Sequence, residues 1–350
     1  MITVNFSESP HKRLSLATRT ETRELVKLRY LAEGNANIVY SFTTTAKDAL
    51  PDGVQRKLLR LRKEKSFIQS TKSQLSTFQQ EFVPLFRPEN LIEQTLVAVD
   101  EALIRRLNQE LEEHENSELR QALRHSDRLA TDGHGLLMTD MTARYGEYLF
   151  EIKPKWLLQS PDAPNDSKRC RTCALRLQRA HASAESAVVP KPGGFCPLSL
   201  VDEDIEERER AFQSITDAQA GDISKSSCTD VVNFLAEKGY QVLETLRKHQ
   251  AHFDKHGLLN SNPDTLSDDY SKAMTLRDCV LFVKGSIDAF ENTADIRLAD
   301  LDFKHAHPDK VAKWTSTEKI LVDQGWYTNI EIDGRIDSTC LLTRRSLPTI

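Results

Sequence analysis

No run of apolar residues in this chain approaches the eighteen or so that a membrane-spanning helix needs; the apolar residues come in short bursts separated by polar turns. That pattern directs the chain toward short buried strands and amphipathic helices. The stretch Met1 to Arg19 is polar with scattered bases and lacks the apolar core of an export signal, so a soluble protein without a secretory signal is expected. At 350 residues the chain exceeds what one hydrophobic core usually serves, and two lobes sharing a cleft are expected. A balance of 47 basic against 52 acidic residues, net −5, argues against a surface coated in positive charge for general nucleic-acid binding. Six cysteines are too sparse for a disulfide scaffold and point to a reducing compartment, nucleus or cytoplasm.

From Leu25 to Phe42 the pattern reads strand, turn, strand, with small residues at Glu33-Gly34-Asn35-Ala36-Asn37. A third strand runs Lys57 to Lys63, where apolar and basic residues alternate and the bases are expected on one face. Thr95 to Val99 reads as a strand, and Asp100 is placed to cap a helix from Glu101 to His114 with leucines at 103, 107 and 111. Two buried strands, Gly135 to Thr139 and Tyr148 to Ile152, flank the loop Asp140 to Glu147, a candidate hinge. Around Ala182 to Pro192 the composition suggests an irregular insert, Val231 to His256 has helical spacing, and Cys279 to Val283 and Ile296 to Phe303 read as strands.

Phosphoryl transfer needs small residues or backbone amides over phosphates, cations on the transferred group and carboxylates for magnesium. Gly34, Asn35, Ala36 and Asn37 form a bend that allows close approach of backbone to a triphosphate; an ordinary hairpin turn is the other reading. Glu151-Ile152-Lys153-Pro154-Lys155-Trp156 ends a strand in two lysines stiffened by proline, which suits clustered phosphates or a solvated strand end. Alternation in Asp300-Leu301-Asp302-Phe303-Lys304 puts Asp300, Asp302 and Lys304 on one side of a strand, either a magnesium and phosphate corner or an exposed face. Asp278 lies just before an apolar run, at the edge of the core, where a cap or turn is the alternative role. Cys170 and Cys173 have metal-ligand spacing and could seed a zinc site with Cys196 and His181; free thiols on a helix are the other reading. Arg171, Arg176 and Arg179 fall at spacings that can leave at least two on one helical face; a solvated basic helix is the other reading.

Taken together, Glu33-Gly34-Asn35-Ala36-Asn37, Leu59 to Lys63, Glu151-Ile152-Lys153-Pro154-Lys155, Cys170-Arg171-Thr172-Cys173, Phe195-Cys196-Pro197-Leu198, Met274 to Cys279 and Asp300 to Lys304 resemble the inositol pentakisphosphate 2-kinases, the fungal branch in particular. The resemblance implies an α+β, two-lobed inositol phosphate kinase fold distantly like protein kinases. Its β-rich N-lobe would span 1–140 and its larger mixed C-lobe 141–350, with ATP between lobes and the inositol phosphate held mainly by the C-lobe. It implies transfer of the γ-phosphate of ATP to the 2-hydroxyl of inositol 1,3,4,5,6-pentakisphosphate, giving inositol hexakisphosphate, with Mg2+.

By the same matching, Gly34, Asn35 and Ala36 would cover the nucleotide phosphates, Arg60 would reach them, and Asp140 and Thr142 would fall at the adenine hinge. Lys153 and Lys155 would grip substrate phosphates, with Arg171, Arg179 and Lys304 completing the pocket and Lys310 a further base. Asp300 would be the principal magnesium ligand, and Asp278 either a second ligand or the carboxylate that orients and deprotonates the nucleophile. In plant relatives a zinc site involves a late CxxC pair, whereas the region His249 to His256 here has histidines and no cysteine pair. A monomer without membrane or nucleic-acid partners is expected. Two rivals remain: another kinase of this general fold, disfavoured by the missing His-Arg-Asp and Asp-Phe-Gly strings, and a zinc-stabilised polyanion-binding module without catalysis.

Overall fold

Period-two alternation in the first third of the chain closes a barrel. The computed structural model describes residues 2–8, 14–17, 25–44, 50–65, 68–113, 126–184, 194–219, 221, 225–260, 268–332, 335–336 and 338–347. By internal contacts the chain divides into two units, Met1–Pro84 with Ile92–Met141 and Leu85–Leu91 with Thr142–Ile350.

The first unit contains β1 (Ile2–Glu8), β2 (Leu14–Ala17), β3 (Leu25–Glu33), β4 (Asn37–Thr44), β5 (Lys57–Arg62), α1 (Thr71–Thr77), β6 (Gln94–Val99), α2 (Glu101–Glu113) and β7 (His134–Thr139). The strands close in the order β1-β2-β6-β7-β5-β4-β3. Every second residue turns inward: Val26 and Leu28, Ile38, Tyr40 and Phe42, Leu59 and Leu61, and Val97 and Val99 form one core with Leu103, Ile104, Leu107 and Leu111 of α2. Asp100 caps that helix by accepting from Leu103 N at 2.6 Å, as its position after a strand predicts. Gly135 is needed where it stands, because a Cβ there would come within 2.7 Å of Leu61 Cδ2 and 3.0 Å of Leu59 Cδ1.

β5 departs from the expected single basic face. Leu59 and Leu61 line the core, so the strand's pleat puts Arg60 and Arg62 on one side and Lys63 on the other. Lys63 is fully buried between Glu33 and Asp127, at 2.7 and 2.8 Å, a pairing that offsets the cost of burying its charge.

The second unit carries β8 (Glu147–Ile152), α3 (Arg171–Ala184), α4 (Ile205–Gln219), α5 (Lys225–Phe234), α6 (Tyr240–Phe253), α7 (Asp268–Leu276), β9 (Val280–Ser286), α8 (Phe290–Thr293), β10 (Asp295–Ala299), α9 (Pro308–Asp323) and α10 (Leu341–Ser346). Its antiparallel sheet has the order β10-β9-β8. The helical stretch read at Val231 to His256 is α5 and α6 joined through a widened turn, Leu235–Gly239, in which Leu235, Ala236 and Gly239 are buried. The strand expected to run through Phe303 stops at Ala299, because Asp300 adopts φ 57° and breaks the extended pleat. Asp300, Asp302 and Lys304 therefore do not share a strand face. Beyond Ala184 the expected insert lies outside the described residues, as does His114. No helix among the described residues is long and apolar enough to cross a membrane.

Candidate functional site

Three strand ends meet at one end of the second unit's sheet. Ala299 pairs with Val280, and Ile152 pairs with Leu281, so the residues leaving β10, entering β9 and leaving β8 are neighbours. Those residues are Asp300, Asp278 and the Lys153-Pro154-Lys155 string. Two of the chain ends there are backbone-strained: Lys155 has φ 59° and Asp300 φ 57°, and among the described residues Arg56 is the one other non-glycine with positive φ. Such conformations cost about 1–2 kcal/mol for an ordinary side chain and persist where surrounding contacts enforce them.

Asp278 is the centre of this corner. Lys155 Nζ donates to its Oδ1 at 2.9 Å, and Lys304 Nζ donates to its Oδ2. Burial alone would raise the Asp278 carboxyl, but the hydrogen bonds and charges of Lys304 and Lys155 hold it below the usual carboxylate range. Lys310, near the start of α9, is drawn down first by burial and then by the like charge of Lys304. Burial, followed by the negative charges of Asp300 and Asp278, pushes the Cys279 thiol up. The structure thus brings Lys155, Asp278 and Lys304 into direct contact, with Asp300 at the adjoining strand end, while Lys310 feels the charge of Lys304.

A buried layer fixes this arrangement from behind. Gln250, fully buried, donates to Lys155 O at 2.9 Å and Leu276 O at 3.1 Å and accepts from Leu157 N at 3.0 Å. One amide thereby ties the chain after the two lysines to the end of α7, just before Asp278. Lys304 N donates to Thr275 Oγ1 at 2.9 Å, fastening the third segment to the same helix end. Trp156 carries two guanidinium groups against its ring, Arg277 at 3.4 Å and Arg171 at 4.2 Å from the centroid. Arg277 is paired with buried Asp254 at 2.7 Å and Arg171 with buried Glu318 at 2.8 Å, and Tyr327 donates to the other oxygen of Glu318.

The remaining expected residues lie elsewhere. Lys153 is half-exposed and reaches 3.7 Å from Glu151 on its own strand. Arg171 is directed inward onto Trp156 and Glu318, and Arg179 is exposed on α3. Arg176, a neighbour on that helix, donates to Phe195 O at 3.0 Å. In the first unit, Gly34 N donates to Asn37 O at 2.9 Å across the turn, and Asn35 accepts from Lys65 at 3.3 Å. A Cβ on Gly34 would meet nothing within 4 Å, so the bend, with Ala36 in it, leaves open space above its backbone. Arg60 is buried on β5 and donates to Gln94 at 3.3 Å. Asp140 donates its N–H to Arg56 O at 2.9 Å, and Thr142 is the first residue of the second unit after it.

Four thiols form a second cluster. Cys170, Cys173 and Cys196 converge as the spacing suggested, but the fourth member is Cys340 and not His181, which packs edge-on against Trp326 with centroids 5.5 Å apart. No signal near Cys340 marks it, because 144 residues separate it from Cys196. Gln250 did leave a trace: it follows Leu246 by four residues and so falls on the buried stripe of α6, where a polar side chain requires partners. Arg277, Asp254 and Glu318 are further buried charges that the sequence reading passed over.

Comparison with known proteins bears on this geometry. The pattern of the family described as Inositol-pentakisphosphate 2-kinase matches residues 30–320, most of the chain and both units. A protein of Yarrowia lipolytica named Inositol-pentakisphosphate 2-kinase is 34% identical over 181 residues, 51% of this chain and 54% of that protein, so the likeness spans about half of the relative's length. A match over residues 30–320, covering the strand ends that carry Lys155, Asp278, Asp300, Lys304 and Lys310, means that this chain belongs to the inositol-pentakisphosphate 2-kinase family.

Proposed function

We propose that this chain is an ATP-dependent kinase that phosphorylates the 2-hydroxyl of inositol 1,3,4,5,6-pentakisphosphate to give inositol hexakisphosphate, on a two-lobed fold distantly like that of protein kinases. The observation that carries the reading is the convergence of Lys155 and Lys304 on one carboxylate, Asp278, at the strand ends that also carry Asp300. A ring bearing five phosphates demands several cations at fixed positions, and each charge-assisted contact is worth roughly 1.5–3 kcal/mol. Family membership supports the choice of ligand. It also weighs against the rival of a zinc-stabilised polyanion binder without catalysis.

In this reading Lys155 and Lys304 have two states. Without substrate they neutralise Asp278; with substrate, the ring phosphates compete for both ammonium groups. Release of its two cations makes Asp278 a stronger base beside the attacking hydroxyl, where it orients the O–H and accepts its proton. Lys310 adds a phosphate contact from α9, and Lys153, Arg171 and Arg179 are further candidates, with Arg171 also holding Trp156 beneath the lysine string. Asp278 and Asp300 are the hard carboxylate donors suited to magnesium, which when bound would supply charge neutralisation at the phosphoryl oxygens. Gly34, Asn35, Ala36, Asn37 and Arg60 are assigned to the nucleotide phosphates, and Asp140 and Thr142 to the base.

The test is turnover with γ-labelled ATP and the pentakisphosphate that lacks the 2-phosphate, using wild type and Asp278→Ala, with the product identified against inositol hexakisphosphate. The expected result is label in the hexakisphosphate from wild type alone. Transfer to a peptide or another polyol with none to the pentakisphosphate would overturn the substrate, and salt-sensitive RNA binding without turnover would overturn the enzyme.

A further inference from the structure

One end of the barrel's inner face is charged. Lys63 continues the inward row of Leu59 and Leu61, where period two calls for an apolar residue. On β3 the register shifts between Tyr30 and Ala32, so that Tyr30 pairs with Tyr40 but Glu33 with Ile38. Without that bulge Glu33 would face outward. With it, Glu33 lies opposite a core residue, and its side chain is 3% exposed. The fold therefore brings a carboxylate and an ammonium together inside a barrel that could have been closed by two apolar side chains.

The two meet at the base of the Gly34–Asn37 bend. Lys63 N donates to Ala36 O at 2.7 Å, while Lys63 Nζ lies 2.7 Å from Glu33 and 2.8 Å from Asp127. Lys65, two residues on, reaches Asp127 at 3.1 Å and donates to Asn35 Oδ1 at 3.3 Å. Asp127 begins a run that pairs with the end of β5: Glu64 N donates to Arg128 O at 2.8 Å and Ala130 N to Arg62 O at 3.0 Å. Burial alone would raise the Asp127 carboxyl, but hydrogen bonds from Lys63 and Lys65 hold it below the usual carboxylate range. Two cations and two carboxylates thus grip the bend at Glu33, Asn35 and Ala36.

We propose that Lys63, with Glu33 and Asp127, is a positioning residue for nucleotide binding, fixing the backbone of Gly34–Asn37 in the shape that receives a triphosphate before the nucleotide arrives. That role rests on the assignment of the bend to the nucleotide phosphates. A buried ion pair is a poor source of stability, because apolar side chains of similar volume commonly hold a fold as well. What it does supply is direction, since hydrogen bonds between charged groups are short and geometrically demanding. The four charges sum to zero, so the cluster presents no net repulsion to an anion on the bend. Gly34 and Asn35 are exposed, and the open space above Gly34 leaves their backbone accessible to a ligand.

The experiment compares wild type, Gly34→Val and the double variant Glu33→Met/Lys63→Met, which replaces the buried pair by apolar side chains of similar length and leaves Asp127 to Lys65. Binding of a fluorescent ATP analogue is read beside thermal melting and steady-state kinetics. The double variant should melt close to wild type yet bind the analogue about 10- to 100-fold more weakly. Its KM for ATP should rise by a similar factor while KM for the pentakisphosphate stays unchanged. Gly34→Val, which fills the open space above the bend, should weaken the analogue too. Should the double variant fail to fold, amide hydrogen exchange in the wild-type chain decides: the Gly34 and Lys63 amides, bonded to Asn37 O and Ala36 O, should be equally protected with and without ATP. Full affinity in a folded double variant, with Gly34→Val impaired, would overturn the positioning role alone. Full affinity in Gly34→Val would overturn the assignment of the bend and the role with it, and protection that arises only on adding ATP would overturn the role by showing a bend shaped by its ligand.

Discussion

Asp278 accepts from two lysines through its two oxygens, and that is a costly use of charge unless something else competes for the cations. Its carboxyl is held below the ordinary range in the folded chain, so it contributes stability above the unfolded pKa that is lost as pH falls through the folded value. Asp278→Asn should therefore flatten the acid limb of the stability curve, followed by thermal melting across pH. The same substitution should lower kcat by about 100- to 10,000-fold, the usual worth of a positioned acid–base group. If Lys310 holds a substrate phosphate as proposed, Lys310→Ala should raise KM for the pentakisphosphate by roughly 10- to 100-fold, with kcat little changed. The buried pair beneath is a matter of folding: Arg277→Ala leaves Asp254 uncompensated at 3% exposure and should cost about 3–5 kcal/mol in denaturant titration. At this scale the sequence showed charge identity but not its destination. Arg171 and Lys155 look equally cationic on paper, yet one turns in to Glu318 and the other to a half-exposed carboxylate, because only the packed structure decides which cation loses water.

Strands and helices were legible wherever local pattern and local capping agreed. The Gly34–Asn37 bend, the Asp100 cap and the short buried strands are written in neighbouring residues, and the structure places β3, β4, α2, β7 and β8 accordingly. Where a tertiary contact overrode the pattern, legibility ended. Asp300 continues a period-two run but sits at φ 57°, so β10 stops one residue earlier and delivers its carboxylate to the mouth of β9. Lys155, at φ 59°, turns the chain three residues beyond the end of β8. Lys155→Gly should therefore be more stable than Lys155→Ala by about 1 kcal/mol, since glycine adopts that conformation freely, while both lose substrate affinity to a similar degree. Gln250 shows the converse case: a single side chain clamps two loops across an element boundary. Gln250→Leu should cost about 1–3 kcal/mol for each backbone group left unpaired and should raise KM as the lysine string loosens.

For the whole molecule, a net charge of −5 coexists with a local meeting of two ammonium groups on one carboxylate. An acidic remainder disfavours loose attachment to other polyanions and leaves selectivity to the corner itself. Raising ionic strength from ~0.05 to ~0.5 M should then increase KM for the pentakisphosphate several-fold, as screening shortens the reach of those cations. The sulfur cluster has a consequence in time as well as in space. Its first three members emerge from the ribosome close together, but Cys340 follows Cys196 by 144 residues, nearly the whole of the second unit's helical part. During translation the nascent chain must carry three adjacent thiols unmatched until that distance has been synthesised, a window in which oxidants and stray metals have access that the finished molecule denies them.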